Sequence, residues 1–351
     1  MQEDLCMQIF KKLLGFIAAN ILVIFVFTMA FAQPSAVRPL LKTAKAGDYD
    51  TLILGQSNAE TSVDPFLLSD LCDCNAFNLS RRLQPMVNQY YLLQEANKYG
   101  QYKTIILDLD ISYWTEDHNG RAGTDCNLLF RLTGRRQAEY IRKILLDDNF
   151  TNAFFDYSLT PSQIPAMLKK VPMQLRTKCS SDYILGKESS IAYYNQITGI
   201  TKNYKYIGRG FRYGIQQRNT LHTPYTFKVK DVKEENLEAF DDIVRYCNTQ
   251  NIKLICIASA VPPYRLLTDN IDTIHNYFEE ICRKYAVPFY DFSYATSQYL
   301  PRTDQDYVDL EGHMMGEMAE KQTRLLSYVL KANDPTIFFH KNYAAVLQDF
   351  S

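Results

Sequence analysis

Two short segments near opposite ends of the chain carry residue types that could cooperate in acyl transfer. The first is Gly55-Gln56-Ser57-Asn58, which follows the apolar run Thr51–Leu54 and precedes Asp64-Pro65. A serine at a tight strand-to-helix turn exposes its hydroxyl and brings its own N–H to where negative charge would develop. The glycine before it lets the backbone turn closely. The same serine could instead do no more than cap the helix it opens. The second segment runs from Tyr307 through Asp309, Glu311 and Gly312 to His313 and Gly316, ahead of an amphipathic stretch. A neutral imidazole there could take the serine proton, while a carboxylate on its other nitrogen fixes the tautomer and stabilises the imidazolium. Of the five histidines, His313 alone is read as having that placement. Asp309 is the expected partner, since it can approach across a turn that Gly312 permits, whereas Glu311 would have to fold its chain back.

The elements that must bring these segments together follow from periodicity. Apolar, β-prone runs at residues 51–54, 76–79, 104–109, 253–258 and 288–291 alternate with helical patterns, as a doubly wound parallel sheet requires. Asp64-Pro65 opens one helix, with Asp as cap and Pro in the first turn. Met86, Tyr90, Leu93 and Asn97 share a face of a second; Leu237, Phe240, Val244 and Cys247 share a face of a third; another spans about 274–285. A last helix, about 316–330, places Met318, Gln322, Leu325 and Val329 together. Residues 49–113 and 231–331 therefore form the core. Residues 114–230 form an insertion too long for an ordinary loop, with helices near 135–148 and 161–170 and extended or turn structure at 204–213. It leaves from the carboxyl end of a strand, where open α/β sheets bind ligands, so it is either a substrate-shaping lid or a structural cap. Residues 33–48 read as a linker and 332–351 as a tail.

Composition narrows the function classes. The formal net charge of -1, with no long run of like charge, lacks the basic footprint of a nucleic-acid binder. The pairs Arg81-Arg82, Arg135-Arg136 and Lys169-Lys170 read as solvated helix faces. With 25 Tyr and 20 Phe against one Trp, the chain is rich in rings that suit sugar surfaces, although most belong to a core. Residues 13–32 carry no charge and are long enough to span a bilayer, so 1–32 is a signal anchor or a cleaved signal ending in Ala30-Phe31-Ala32. An exported domain is the expectation. Cys247, Cys256 and Cys282 read as core residues, and Cys126 with Cys179 as a candidate bridge. Cys72-Asp73-Cys74 lacks the second ligand pair of a zinc site, and Asp108 with Asp110 has no neighbouring histidine, so no metal is expected. Tyr264 and Arg265, beyond the fourth strand, and Asn58, beside the serine, are candidate substrate contacts.

Together the two ends resemble the SGNH (GDSL-like) hydrolase superfamily, whose first motif is G-x-S and whose last is D-x-x-H before a helix. His313-Met-Met-Gly-Glu-Met-Ala319-Glu-Lys is similar to the family's H-L-N-x-x-G-A-E-K stretch, and Asn78-Leu79-Ser80 to its second motif, N-L-G. An N-terminal span before such a domain is similar to the exported branch that acylates or deacylates envelope polymers, including teichoic-acid D-alanyl transfer and alginate acetylation proteins. The resemblance implies Ser57 as nucleophile, His313 as base, Asp309 as orienting group, and backbone N–H groups of Ser57 and Ser80 in an oxyanion hole. It implies no cofactor, an envelope polysaccharide or polymer as substrate, and a membrane acyl-donor protein as a possible partner. Three departures stand: Asp309 is four residues before His313 rather than three, Ser80 replaces glycine, and no asparagine matches the third motif. A protonated Asp110, or the Ser112 or Tyr113 hydroxyl, would have to donate there. A non-catalytic polymer-binding or assembly protein on the same fold is the rival reading. The fold expected is a three-layer α/β/α domain with a five-stranded parallel, flavodoxin-like sheet and a large helical insertion after the third strand.

Overall fold

A computed structural model of the chain describes residues 2–31, 34–82, 84–115, 128, 131–145, 164–218 and 222–350. Its strands are β1 (Thr51–Leu54), β2 (Ala76–Asn78), β3 (Thr104–Asp108), β4 (Tyr204–Gly208), β5 (Phe211–Gly214), β6 (Lys253–Ala258) and β7 (Phe289–Asp291). Successive residues of a strand face opposite sides of the sheet. Leu52, Leu54, Ile105, Leu107, Leu254 and Cys256 accordingly enter one buried cluster, and Ile53, Ile106, Ile255 and Ile257 the other. Both sheet faces are apolar, so both must be covered, and each fully buried Leu or Ile favours this by roughly 1.5–3 kcal/mol.

One face is covered by helices α2 (Val37–Ala46), α5 (Met86–Ala96), α8 (Glu234–Thr249) and α9 (Ile271–Lys284). The other is covered by α4 (Pro65–Cys72) and α10 (Gly316–Lys331), which give three layers. The sheet order is β2-β1-β3-β6-β7, all parallel, the flavodoxin-like arrangement. Strand order reverses between β1 and β3, and the crevice beyond their carboxyl ends is where this topology places ligands. Asp64 caps α4 as its sequence suggests, its Oδ1 accepting from the Phe66 and Leu67 N–H groups at 2.9 and 3.3 Å. Cys247, Cys256 and Cys282 are buried core residues.

Three expectations need correction. Residues 33–48 are not a linker: Val37, Leu40, Leu41 and Ala44 fall at i, i+3, i+4 and i+7, and helix α2 buries that stripe against the core. Residues 332–351 are not a loose tail, because Phe338 and Val346 are buried and α11 (Tyr343–Phe350) packs on the domain. Arg81 is not on a solvated helix face; it is buried outside any helix and ion-paired with Glu60. Within the insertion lie α6 (Arg135–Leu145), α7 (Ile164–Lys178) and the antiparallel hairpin β4–β5. Residues 146–148 and 161–163 of the expected helices, and Cys126 of the candidate bridge, lie outside the described residues.

Helix α1 (Gln2–Phe31) carries 25 residues, Met7–Phe31, that include an 18-residue window of mean hydropathy 2.5 with none of it buried, long and apolar enough to cross a membrane. From α7, Lys178 Nζ donates to the Thr28 and Met29 carbonyls at 2.6 and 3.1 Å, satisfying acceptors in the last turn of α1. The full-length chain is expected to remain in the membrane pellet after alkaline carbonate washing. A soluble product beginning at Gln33 would show instead that the segment is removed.

Candidate active site

Strand β1 delivers Ser57. Gly55 is required where the chain turns, since a Cβ there would lie 2.4 Å from the Ala59 Cβ and 3.1 Å from the Asp108 Cβ. Ser57 is the first residue of α3 (Ser57–Ser62), and the capping position belongs to Gln56. The serine hydroxyl is thus not used as a helix cap, and its N–H lies in the first turn, where N–H groups have no intrahelical acceptor.

His313 is delivered by a loop that folds back on itself. Tyr307 bridges Met314, the Val308 N–H donates to the His313 carbonyl at 2.7 Å, and Gly312 takes φ +110° to close the turn. This brings Asp309 under the imidazole, with His313 Nδ1 2.8 Å from Oδ1 and 2.9 Å from Oδ2. The Asp309 carboxylate also accepts from the Glu311 and His313 N–H groups at 3.1 and 3.4 Å and from Arg218 Nη2 at 2.8 Å. Burial alone would raise the Asp309 carboxyl, but hydrogen bonding and charge from His313, with Arg218, outweigh it and hold it below its ordinary value. Glu311 points elsewhere, its Oε1 3.3 Å from His222 Nδ1.

Ser57 and His313 line one cavity of about 170 Å³. Glu60 and Thr61 from α3 contribute to it, as does Arg82. The remaining wall is the insertion: Gly199, Ile200, Asn203, Tyr204, Arg212 and Arg218. Glu60 is buried and paired with Arg81, and lies 3.3 Å from Arg212 Nε. Arg82 has no carboxylate partner among the described residues, so the lining is basic. Arg82, Arg212, Arg218 and the Tyr204 wall have no signal in sequence spacing; Arg82 reaches the site from the segment after β2, and the others through tertiary folding of the insertion.

Other expected site residues lie outside this lining. The Ser80 N–H donates to Asn78 Oδ1 at 3.0 Å, and the Ser80 hydroxyl is buried without a partner, so this position is not a free oxyanion donor. Asn58 Nδ2 donates to Asp110 Oδ2 at 2.8 Å, so Asp110 acts as an acceptor toward α3. The side chains of Ser112 and Tyr113 lie outside the described ones. Arg265 is 8% exposed and braces the histidine loop, with Nη1 3.0 Å from the Glu311 carbonyl and Nε 2.7 Å from Asp269. Tyr264 stands edge-on to His222, with ring centroids 6.1 Å apart.

A carboxylate beside a histidine also proves less distinctive than the sequence suggests. His222, His275 and His340 pair with Asp269, Asp291 and Asp349 at 2.9, 2.9 and 2.7 Å. Among the described residues, what distinguishes His313 is that it shares a cavity with Ser57.

Beneath the site, Asp108 at the end of β3 is wholly buried, hydrogen-bonded to the Ser259 hydroxyl, which lies 2.7 Å from Ser62 Oγ on α3. Burial pushes its carboxyl up to about 7; the Ser259 hydroxyl opposes this and Asp110 adds to it. A carboxyl raised on folding binds more protons folded than unfolded between about pH 4 and 7, so stability falls as pH rises through that window. Asp108→Asn is expected to remove that decline, gaining thermal stability relative to wild type as pH goes from 5 to 8. A melting-temperature difference that does not change with pH would contradict this.

Compared with known proteins, the sequence matches no family model and no curated protein.

Proposed function

We propose that this chain is a membrane-anchored serine O-acyl esterase or acyltransferase acting on an envelope polysaccharide or polymer on the extracytoplasmic side. The observation that carries the reading is the convergence of Ser57 and His313 on one cavity, with His313 Nδ1 held by the Asp309 carboxylate. That bond leaves Nε2 as the basic nitrogen. Ser57 Oγ adds to an acyl carbonyl carbon as its proton passes to Nε2, and collapse of the adduct expels the alcohol oxygen, which takes that proton. Water or a sugar hydroxyl then repeats the sequence on acyl-Ser57, giving a free acid or a new ester. A cavity of about 170 Å³ suits a short acyl group. Donation of such a group by a membrane partner would fit an anchored enzyme.

The occupied Ser80 N–H and the Asn58–Asp110 bond favour a second reading, a non-catalytic polymer-binding or assembly protein on the same fold. Without the expected donors, transition-state charge would be poorly stabilised, and a single lost donor typically costs about 10²–10³ in rate. A fluorophosphonate probe separates the two, because it labels a serine activated by a base. Labelling of the full-length chain that disappears in Ser57→Ala is the expected result; an unlabelled wild type would leave the binding protein.

A further inference from the structure

A second cavity, of about 530 Å³, lies away from Ser57, between α9, the edge strand β7 and the segment 335–343. β7 stands three places from β1 in the sheet, about 14 Å at roughly 4.8 Å per strand, so the two cavities belong to different parts of the sheet edge. Its volume lies within the range of small-ligand pockets, about 300–1,000 Å³.

The lining has two chemically distinct sides. Asp272, His275, Asn276 and Glu279 fall at i, i+3, i+4 and i+7, one stripe of α9. It is the polar flank of α9, beside the apolar stripe of Ile271, Ile274 and Phe278 that is buried in the core, so the helix turns a row of donors and acceptors toward the cavity. The side chains of Asp272, Asn276 and Glu279 make no hydrogen bond among the described residues. The other side is aromatic: Tyr290, Tyr294, Phe339 and Tyr343. Tyr294 is fixed by stacking on the His275 ring at 3.7 Å, and that imidazole is fixed in turn by Asp291. Tyr290 and Phe339 lie nearly parallel, 15° between planes and 6.2 Å between centroids. These rings are pre-positioned rather than free to collapse into the space.

We propose that this cavity is a glycan-binding site that holds a hexopyranose unit, its C–H face against the aromatic side and its hydroxyls against the α9 stripe. A pyranose ring is itself two-faced in this way, and aromatic rings with a polar neighbour suit it. The charge is mixed, because Lys341 sits among the carboxylates. Mixed donors and acceptors fit neutral hydroxyls, which both give and accept hydrogen bonds, better than they fit a cation. The site stands whether or not Ser57 is catalytic. If it is, a polymer held here raises the local concentration of its distant units at Ser57 without occupying the acyl cavity.

The test uses the full-length chain in a polyoxyethylene detergent, which carries no sugar, on a printed array of neutral and N-acetylated hexopyranose oligosaccharides. Binding to members of the array is expected, weakened at least tenfold in the double variant Asn276→Ala/Glu279→Gln, both positions being exposed and structurally undemanding. Ser57→Ala should bind as wild type does, which separates this site from the acyl cavity. The proposal is overturned if no oligosaccharide binds, if the double variant binds undiminished, or if tetramethylammonium occupies the site in place of sugar. Loss of binding in Ser57→Ala would also overturn it, by assigning the glycan to the other cavity.

Discussion

Ser57→Ala is expected to reduce hydrolysis of a small acyl ester by on the order of 10⁴–10⁶ while leaving thermal unfolding unchanged. The size of the loss follows from the division of labour in such a site. In the proposed mechanism His313 and Asp309 act only on the proton that Ser57 releases, so removing the nucleophile would silence all three together. The unchanged stability follows from placement: the helix-capping position is Gln56, and the Ser57 hydroxyl anchors no hydrogen bond among the described residues. The measurement is steady-state hydrolysis of an aryl acetate alongside a melting curve. Undiminished turnover in a folded Ser57→Ala would end the serine-enzyme reading, and a variant that fails to fold would show that Ser57 is structural.

The second large effect is expected at Asp309. Replacement by Asn keeps size but turns one acceptor oxygen into an NH2 donor and removes the charge that stabilises the imidazolium and selects the Nδ1–H tautomer, a change that costs about 10⁴ in comparable triads. Glu311→Gln should remain near wild type, because the Glu311 side chain faces His222 rather than His313. The opposite pattern, with Glu311→Gln crippled and Asp309→Asn active, would reverse the assignment. A stability signature accompanies the rate effect. The Asp309 carboxyl is held below its ordinary value when folded, against burial, by His313 and Arg218. It therefore contributes stability above its unfolded pKa of about 3.9 that is lost as pH falls through the folded value, and Asp309→Asn should lack that acid-side decline.

Much of this architecture is legible from local pattern. The strand periods place Leu52 and Ile53 on opposite faces, Asp64-Pro65 marks the start of α4, and Gly312 marks the turn that brings Asp309 beneath His313. The strand limits read from sequence fall within a residue of those observed. The same signal lies at 37–44, whose i, i+3, i+4, i+7 spacing is that of a buried helix stripe. Proximity to a run of charge misled at Arg81, because a buried ion pair depends on Glu60 arriving from 21 residues earlier in the chain.

By itself, then, the sequence determines the strands of the sheet, their order and candidate residues for the chemistry, because helix and strand periods, caps and turn glycines act over a few neighbouring residues. What only the tertiary structure decides is which of those residues meet. Four described histidines each find a carboxylate, yet only His313 faces the Ser57 cavity. The Ser80 N–H is withdrawn by Asn78, Arg265 becomes a brace for the histidine loop, and the wall of Arg212, Arg218 and Tyr204 comes from an insertion whose purpose its own periodicity leaves open. Those outcomes are set by long-range packing, in which the arrival of residues 57 and 313 at one cavity depends on every strand and helix between them closing in register.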